Sequence, residues 1–197
     1  MDIEELRQRP NIVITGTPGT GKSTHAQALV DACPVPLQHI NVVELVKQKE
    51  LHDGYDQEWQ SYIVDEDKAC TTTSFKILGT INNVVIDELE PLAVQGGLIL
   101  DWHTCDAFPE RWIDLVVVLQ CDHSRLWERL EKRNYTLKKI QENNECEIMG
   151  TVLEEAREAY AEEIVVVLRS EEIGDLESNV ARIVQWVESW RADRGFS

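Results

Sequence analysis

The stretch Asn11-Ile-Val-Ile-Thr-Gly-Thr-Pro-Gly-Thr-Gly-Lys-Ser-Thr24 decides the fold. It joins an apolar run, 11–15, to the pattern G-x-x-x-x-G-K-[ST], and a helical pattern over 23–32 follows. A strand, a glycine-rich loop and a helix in this order let backbone N–H groups and a helix N-terminus converge on phosphate. A chance glycine-rich turn would need all of these features to coincide. We therefore predict an α/β fold with a phosphate-binding loop.

Six residues of this loop are candidate nucleotide ligands. They are Gly19, Thr20, Gly21, Lys22, Ser23 and Thr24. In the motif's mechanism Lys22 bridges the β- and γ-phosphates and Ser23 holds Mg²⁺, while Thr24 is placed to donate to the α-phosphate. The predicted cofactor is Mg²⁺, with ATP as the phosphoryl donor.

A phosphate loop of this kind needs an acid at the end of a neighbouring strand to complete the Mg²⁺ shell. The apolar run 98–100 ends in Asp101, which we predict as the second metal residue. If the strand continues, His103 points to the same side and could orient a water or carry a proton. The alternative for His103 is a histidine that only caps the strand end.

Charge is distributed unevenly along the chain. The net charge is −17, yet residues 122–139 hold six bases and three acids. Arg125, Arg129 and Arg133 follow helical i, i+4, i+8 spacing, and arginines closing over a phosphate stabilise developing charge. We predict Arg129 and Arg133 as catalytic, with Arg133 also binding nucleotide. The alternative is a solvated helix face.

The rest of the chain alternates apolar runs with helical patterns, which predicts one domain over 1–197 with a parallel sheet. We expect strands at 38–41, 97–101 and 115–119, helices at 42–50, 84–95, 122–134, 146–164 and 176–190, an irregular segment at 51–68 and a polar connection at 135–145. The pattern leaves open whether 165–168 ends the long helix or forms a last strand.

Composition excludes several classes. At −17 the chain is too acidic for strong direct binding of nucleic acid. No apolar run is long enough to cross a bilayer, and acids stand where a signal peptide has bases, so neither a membrane segment nor export is expected. The five cysteines are widely spread without a C-x-x-C pair, so we expect reduced thiols and neither a disulfide framework nor a zinc site.

Beyond the phosphate loop, four further groups of motifs carry a family resemblance. They are Asp53-Gly-Tyr-Asp56 with Asp65-Glu-Asp67, Asp101-Trp-His-Thr-Cys-Asp106, Phe108-Pro-Glu-Arg-Trp112 and Glu128-Arg-Leu-Glu-Lys-Arg-Asn-Tyr135. With them the chain resembles, over nearly its whole length, the adenylate kinase isoenzyme 6 family, also called the coilin-interacting nuclear ATPase family. The resemblance implies a nucleoside-monophosphate-kinase fold with a five-stranded parallel sheet, an NMP-binding segment at about 41–64 and a lid at about 132–142.

The same resemblance implies a function. It implies phosphoryl transfer from ATP to AMP, with accompanying ATPase activity, in the nucleus and the cytoplasm. It also implies a role in late maturation of the small ribosomal subunit and its rRNA, through transient binding of a basic small-subunit ribosomal protein. The acidic surface suits such a partner.

Two features depart from the family pattern. Residues 69–84 intervene before Val85-Ile-Asp-Glu-Leu89, and we expect either a surface hairpin or loop, or sequence absent from the native mature protein. In addition, no arginine lies between Arg9 and Arg111, so Lys47 and Lys68 stand where the family's NMP segment shows arginines. Because lysine lacks the bidentate fork of arginine, the NMP phosphate should be held more weakly.

Three functions remain after these observations. The first is an NMP kinase with ATPase activity. The second is an assembly factor whose ATPase cycle switches its grip on a protein partner, with little true kinase activity. The third, a small-molecule kinase of shikimate or gluconate type, shares the phosphate loop but lacks support from the D-x-H-x-C-D pattern.

Overall fold

The structure is a computed structural model, and it describes residues 7–48, 55–56, 61–62, 75–103 and 108–196. The elements in chain order are β1 (Ile12–Thr15), α1 (Lys22–Ala32), β2 (Gln38–Asn41), α2 (Val42–Gln48), β3 (Tyr55–Asp56), β4 (Ser61–Tyr62), α3 (Phe75–Gln95), β5 (Leu98–Asp101), β6 (Leu115–Gln120), α4 (His123–Lys132), α5 (Leu137–Met149), α6 (Thr151–Ala159), β7 (Val165–Arg169) and α7 (Ile173–Asp193). Short 3-10 helices at Glu110–Trp112 and Glu162–Ile164 precede β6 and β7.

The main sheet is parallel and has the strand order β2-β5-β1-β6-β7. The expected five-stranded parallel sheet is therefore confirmed, and the open question over 165–168 is answered by β7. Asp101 on β5 is the register partner of both Ile14 on β1 and Asn41 on β2. Three strand ends therefore meet at one level, beside the loop that follows β1. A separate antiparallel pair joins β3 and β4.

Strand alternation divides the core into two layers. Val13 faces one layer, with α2, α3 and α6, while Ile12 and Ile14 face the other, with α1 and α7. All three side chains are fully buried, as are most apolar residues of β5 and β6. Coverage on both faces explains why these strands read as continuous apolar runs.

Two expectations about the region after α4 are wrong. The polar connection expected at 135–145 is mostly helical, since α5 begins at Leu137, and the single helix expected at 146–164 is divided at Gly150, where φ is 69°. Asn143 and Asn144 are buried in α5, where their amides donate to the carbonyls of Lys139 at 2.8 Å and Ile140 at 3.0 Å. Polar side chains that bond to carbonyls of their own helix make a helical segment resemble a polar connection in sequence.

Further differences concern the stretch at 69–84 and the cysteines. Helix α3 begins at Phe75, so the second half of the stretch is helical and not the expected loop or hairpin, while 69–74 lie outside the described residues. Cys146 is disulfide-bonded, so the expectation of reduced thiols is wrong there, because spacing along a chain does not report distance in space. Cys33 and Cys121 are free thiols, and Cys70 and Cys105 lie outside the described residues.

Other expected features fall on residues that the structure covers only in part. Of the NMP-binding segment at 41–64, the structure describes 41–48, 55–56 and 61–62, and the side chains of Lys47 and Lys68 lie outside the description. Among the described residues, no helix combines the length and apolar character that crossing a membrane requires.

Candidate functional site

The phosphate loop, residues 16–23, leaves β1 and enters α1 at the carboxyl edge of the sheet. Lys22 is buried, and its ammonium donates to the carbonyl of Gly16 at 2.8 Å and to that of Thr17 at 3.4 Å. Thr20 is also buried, and its hydroxyl donates to the carbonyl of Thr17 at 2.8 Å. The loop thus folds around the lysine ammonium, at the place where backbone N–H groups and a helix N-terminus gather.

Gly19 shows why the loop needs glycine. Its φ is 99°, and a Cβ there would lie 2.8 Å from Leu126 Cδ1 and 3.1 Å from Leu130 Cδ2. Both leucines belong to α4, so this helix lies directly on the loop. Any side chain at Gly19 would strain the backbone and push α4 away. Of the other predicted loop ligands, Gly21 leads into α1 with φ at 96°, and Thr24 is exposed on its first turn.

Ser23 and Asp101, the two predicted metal residues, lie together. Ser23 Oγ donates to Asp101 Oδ2 at 2.5 Å. Asn41 Nδ2 donates to the same oxygen at 3.0 Å, and His39 Nε2 lies 3.3 Å from it. Burial opposes ionisation of Asp101, but the hydrogen bonds from His39 and Ser23 and the charge of Lys22 outweigh it, so its pKa lies below the ordinary value. Asp101 is therefore an ionised carboxylate in a buried position.

Mg²⁺ fits this arrangement when it binds together with phosphate. Mg²⁺ prefers hard oxygen ligands, and kinases hold it with one or two protein oxygens, substrate phosphates and water. Ser23 Oγ and the Asp101 carboxylate supply such oxygens next to the phosphate loop. In the described part of the chain, no group of three or more His, Cys, Asp or Glu side chains is arranged to hold a metal. The residues suit a nucleotide-dependent metal site, not a metal held by protein alone.

His103 lies near Asp101 and Lys22, as expected, but it is not part of the strand that ends at Asp101. Strand β5 ends at Asp101, and His103 follows in a bend where its carbonyl accepts from Thr15 Oγ1 at 3.2 Å. Its side chain is buried, and Nδ1 has no hydrogen-bond partner among the described residues. Burial and then the nearby charge of Lys22 lower its pKa to about 3. At neutral pH the imidazole is uncharged and has a free ring nitrogen.

The basic residues of α4 separate in the structure. Arg129 lies against the phosphate loop and the end of β7, where it donates to the carbonyls of Gly19 at 3.2 Å, Ser170 at 2.9 Å and Glu171 at 2.8 Å. Arg133 is exposed at the end of α4, and Arg125 pairs with Glu128 at 3.6 Å on the surface. Among the described contacts, Arg129 is therefore the one of the three that hydrogen-bonds to the loop, while Arg125 pairs on the surface and Arg133 lies beyond the end of α4.

Sequence reasoning missed three further residues at this edge. His39 and Asn41 alternate on β2, and both face Asp101. Ligand-binding residues often lie at the carboxyl ends of parallel strands, so their position could have identified them as site residues. Glu147 lies in the last turn of α5, and its carboxylate accepts from the Thr17 hydroxyl and, at 2.7 Å, from the backbone N–H of Cys121. The position of Glu147 follows only from the packing of α5.

A polar cavity of about 460 Å³ lies next to Glu147, at the carboxyl ends of β6 and β7. It is lined by Gln120, Cys121, Glu147, Val167, Arg169 and Glu171. Burial raises the pKa of the Cys121 thiol to about 11, so this sulfur is protonated at neutral pH and is not a reactive thiolate.

The fold is that of a P-loop kinase. Its parallel sheet has a phosphate loop after the first strand and a serine paired with an aspartate at the edge, and an arginine of α4 hydrogen-bonds to the loop. Residues 12–150 match the family described as AAA domain. An adenylate kinase isoenzyme 6 homolog of Schizosaccharomyces pombe is 51% identical over 95% of this chain and 97% of its own length. A homolog of the same description from Dictyostelium discoideum is 48% identical over 93% and 95%.

The chain belongs to the adenylate kinase isoenzyme 6 family, as the sequence motifs indicated. It is an enzyme of the nucleotide kinase and ATPase class. Shikimate kinase from Acinetobacter baumannii, solved in complex with shikimate, superposes with a TM-score of 0.59 at 16% identity, covering 95% of this chain and 98% of that one. That likeness shows the shared P-loop kinase fold alone.

Proposed function

We propose that this protein is a nucleoside monophosphate kinase that transfers the γ-phosphoryl group of ATP to AMP, giving two ADP, and that it also hydrolyses ATP. The observation that carries the proposal is the 2.5 Å contact between Ser23 Oγ and Asp101 Oδ2 beside the loop that holds Lys22. Membership of the adenylate kinase isoenzyme 6 family supports AMP as the acceptor.

The residues at the sheet edge divide the work. Lys22 and the loop N–H groups bind the phosphates, and the serine hydroxyl and the Asp101 carboxylate hold Mg²⁺. A Mg²⁺ ion held by these two residues would supply positive charge that neutralises the phosphates. Asn41 and His39 hold the shared carboxylate oxygen of Asp101 in place. Because opposite charges attract, the ionised Asp101 carboxylate and the phosphates would hold a cation between them.

His103 supplies an uncharged ring nitrogen at the same place. Its Nδ1 is free among the described residues, and the imidazole stays neutral at physiological pH. A neutral nitrogen accepts a hydrogen bond from a water molecule or from an attacking hydroxyl group and so orients it. This role serves hydrolysis directly, since water is then the acceptor of the phosphoryl group.

Arginines complete the phosphate environment. Arg129 already bridges the phosphate loop and the end of β7 through three carbonyls. Arg133 lies at the end of α4, in the expected lid, where its exposed guanidinium is available for the transferring phosphoryl group. Planar guanidinium donors match phosphate oxygens in pairs, which is the reason for assigning this role to arginine.

An ATPase switch with little kinase activity is the second candidate. It is favoured by the absence of arginine between Arg9 and Arg111, which deprives the expected NMP-binding segment at 41–64 of bidentate phosphate ligands. In this candidate function, ATP hydrolysis changes the affinity for a protein partner, and AMP is a poor acceptor of the phosphoryl group.

We also propose a setting for the activity. The protein acts in late maturation of the small ribosomal subunit and its rRNA, in the nucleus and the cytoplasm, through transient binding of a basic small-subunit ribosomal protein. A net charge of −17 supports a basic partner through electrostatic complementarity. The test is the salt dependence of that binding, since an affinity that does not fall as salt is added contradicts an electrostatic contact.

A nucleotide assay separates the two enzymatic candidates. Purified protein is incubated with Mg-ATP alone and then with added AMP, and ADP is measured, with Lys22→Ala as the inactive control. Kinase activity predicts a large rise in ADP when AMP is added. If AMP changes nothing while ATP alone is hydrolysed, the switch is correct. If neither condition yields ADP, both candidates are wrong.

A further inference from the structure

Glu147 joins two segments that are distant in sequence. Its Oε2 accepts from the hydroxyl of Thr17 in the phosphate loop, and its Oε1 accepts from the backbone N–H of Cys121 at 2.7 Å. Thr17 is only 1% exposed, so its hydroxyl is satisfied inside the protein. Hydrogen bonds to an ionised carboxylate are roughly twice as strong as neutral ones. One side chain therefore connects α5, the loop and the end of β6.

These contacts lie at the start of α4 and the end of α5, the two outer ends of the α4–α5 pair. Helix α4 starts just after Cys121, with Asp122 as its N-cap, and α5 ends just after Glu147, before Gly150 at φ 69°. The pair has its own apolar cluster, formed with Leu126, Leu130 and Ile140. Both ends of the pair thus meet at one carboxylate, which also holds the loop.

The position is costly for an ionised group. Burial raises the pKa of Glu147, although the bonds from Thr17 and Cys121 and the nearby charge of Lys22 oppose the shift. Glu147 is therefore a partly buried carboxyl group whose two oxygens are held by the loop and by the base of α4.

We infer that Glu147 is a positioning residue that couples the α4–α5 pair to the phosphate loop, so that nucleotide in the loop and the placement of the pair depend on each other. The inference rests on the proposed use of ATP. Its physical basis is the simultaneous contact of one carboxylate with Thr17 on the loop and with Cys121 at the base of α4. By linkage, the factor by which correct placement of the pair strengthens nucleotide binding equals the factor by which bound nucleotide favours that placement.

The test uses the full chain and a double-mutant cycle between Thr17→Val and Glu147→Gln. Valine removes the hydroxyl, and glutamine keeps the shape but loses the charge. Thr17→Ser keeps the hydroxyl and is the conservative variant. Glu145→Gln is the matched control, because Glu145 is exposed on the same helix. The measurements are the Kd of Mg-ATP by calorimetry, amide hydrogen exchange over 121–149 without nucleotide, and urea unfolding.

We expect Thr17→Val and Glu147→Gln each to weaken Mg-ATP binding about tenfold. The double variant should be no worse than either, because each change removes the bond that the Thr17 hydroxyl donates to Glu147. Exchange over 121–149 should rise in both. Glu145→Gln should match the wild type, Thr17→Ser should bind Mg-ATP more tightly than Thr17→Val because it keeps the hydroxyl, and Glu147→Gln should not lower the urea midpoint.

Several outcomes overturn the inference. Unchanged exchange shows that the carboxylate does not hold the pair. If the variants show faster hydrogen exchange but unchanged ATP affinity, Glu147 has only a structural role. Losses of ATP affinity that add in the double variant would show that Thr17 and Glu147 act independently. If wild-type protein does not bind Mg-ATP, the proposed function fails first and the coupling fails with it. The two failures are therefore distinguished by the wild-type titration.

Discussion

Ser23 Oγ lies 2.5 Å from Asp101 Oδ2, although 78 positions separate the two residues in the chain. Ser23 stands on the first turn of α1, and Asp101 is the last residue of β5, the neighbour of β1 in the sheet. Parallel strands place their carboxyl ends at one edge, and the loop after β1 brings the serine to that edge. The contact defines where Mg²⁺ and phosphate are expected to meet.

Replacing the loop lysine should abolish both activities. In Lys22→Ala the buried ammonium that donates to the Gly16 carbonyl is lost, and with it the cation proposed to bind the β- and γ-phosphates. ATP hydrolysis and AMP phosphorylation should each fall at least 100-fold, a loss of about 3 kcal/mol in transition-state stabilisation. Lys132→Ala, an exposed lysine of α4, is the control. Retained activity in Lys22→Ala would refute the assignment of the phosphate loop.

Removing the charge of Asp101 should raise the Mg²⁺ requirement. Asn41 and Ser23 would still find an acceptor in Asp101→Asn, but the ionised oxygen is absent. We expect at least tenfold more Mg²⁺ for half-maximal activity. The change should be matched by weaker binding of Mn²⁺ in the presence of ATP, measured by electron paramagnetic resonance. The exposed Asp193→Asn should behave as wild type, and an unaltered metal titration in Asp101→Asn would contradict the site.

His103→Gly should impair hydrolysis while ATP still binds. The uncharged imidazole is proposed to orient water and not to hold phosphate, so its loss should lower kcat about 10- to 100-fold with little change in the Kd of Mg-ATP. Steady-state kinetics and calorimetry measure the two quantities. Unchanged turnover would reduce His103 to a residue that only ends the strand.

The buried state of His103 also predicts a pH dependence of stability. Its pKa falls from 6.5 to about 3 on folding, so below pH 6.5 the unfolded chain binds a proton that the folded chain does not. Stability attributable to this residue is therefore lost as pH falls from 6.5, by about 1.4 kcal/mol per unit. Between pH 7 and pH 5 the wild type should lose about 2 kcal/mol more than His103→Asn in urea unfolding.

The control for this experiment is His123→Asn, because His123 is exposed at the start of α4 and its replacement should leave the pH dependence unchanged. Parallel stability curves for wild type and His103→Asn would show that the imidazole is accessible to protons in the folded state.

Adding one methyl group at Gly19 should loosen the contact between the loop and α4. At φ 99°, with Leu126 Cδ1 2.8 Å from the new Cβ, Gly19→Ala is both strained and overpacked. We expect a loss of about 1–3 kcal/mol in unfolding free energy, together with weaker ATP binding. Gly174→Ala is the matched control, since nothing lies within 4 Å of a Cβ there. It should be neutral or stabilising, because α7 gains a better helix former. Equal stability of the two variants would contradict the packing.

The sequence by itself determined the fold class and much of the site. The apolar run before Gly16, the glycine spacing and the Lys22-Ser23 pair follow from local rules that one chain segment satisfies alone. Apolar residues ending in Asp101 likewise identified a buried strand with an acid at its end. Asp122 caps α4 and accepts from the N–H of Ser124 at 2.9 Å, an arrangement that aspartate favours at a helix start. Local hydrogen bonds of this kind depend only on neighbours, so sequence reveals them.

Only the tertiary structure decided the remainder. Asn41 meets Asp101 because of strand register, Arg129 meets the loop because α4 packs on Gly19, and Glu147 meets Thr17 because α5 returns to the sheet edge. The disulfide at Cys146 belongs with these contacts. Each of these contacts depends on how distant segments of the chain pack against each other, and this packing is not evident from the order of residues in one segment. The phosphate loop is therefore a local property of the sequence, while the residues that position it are a product of packing.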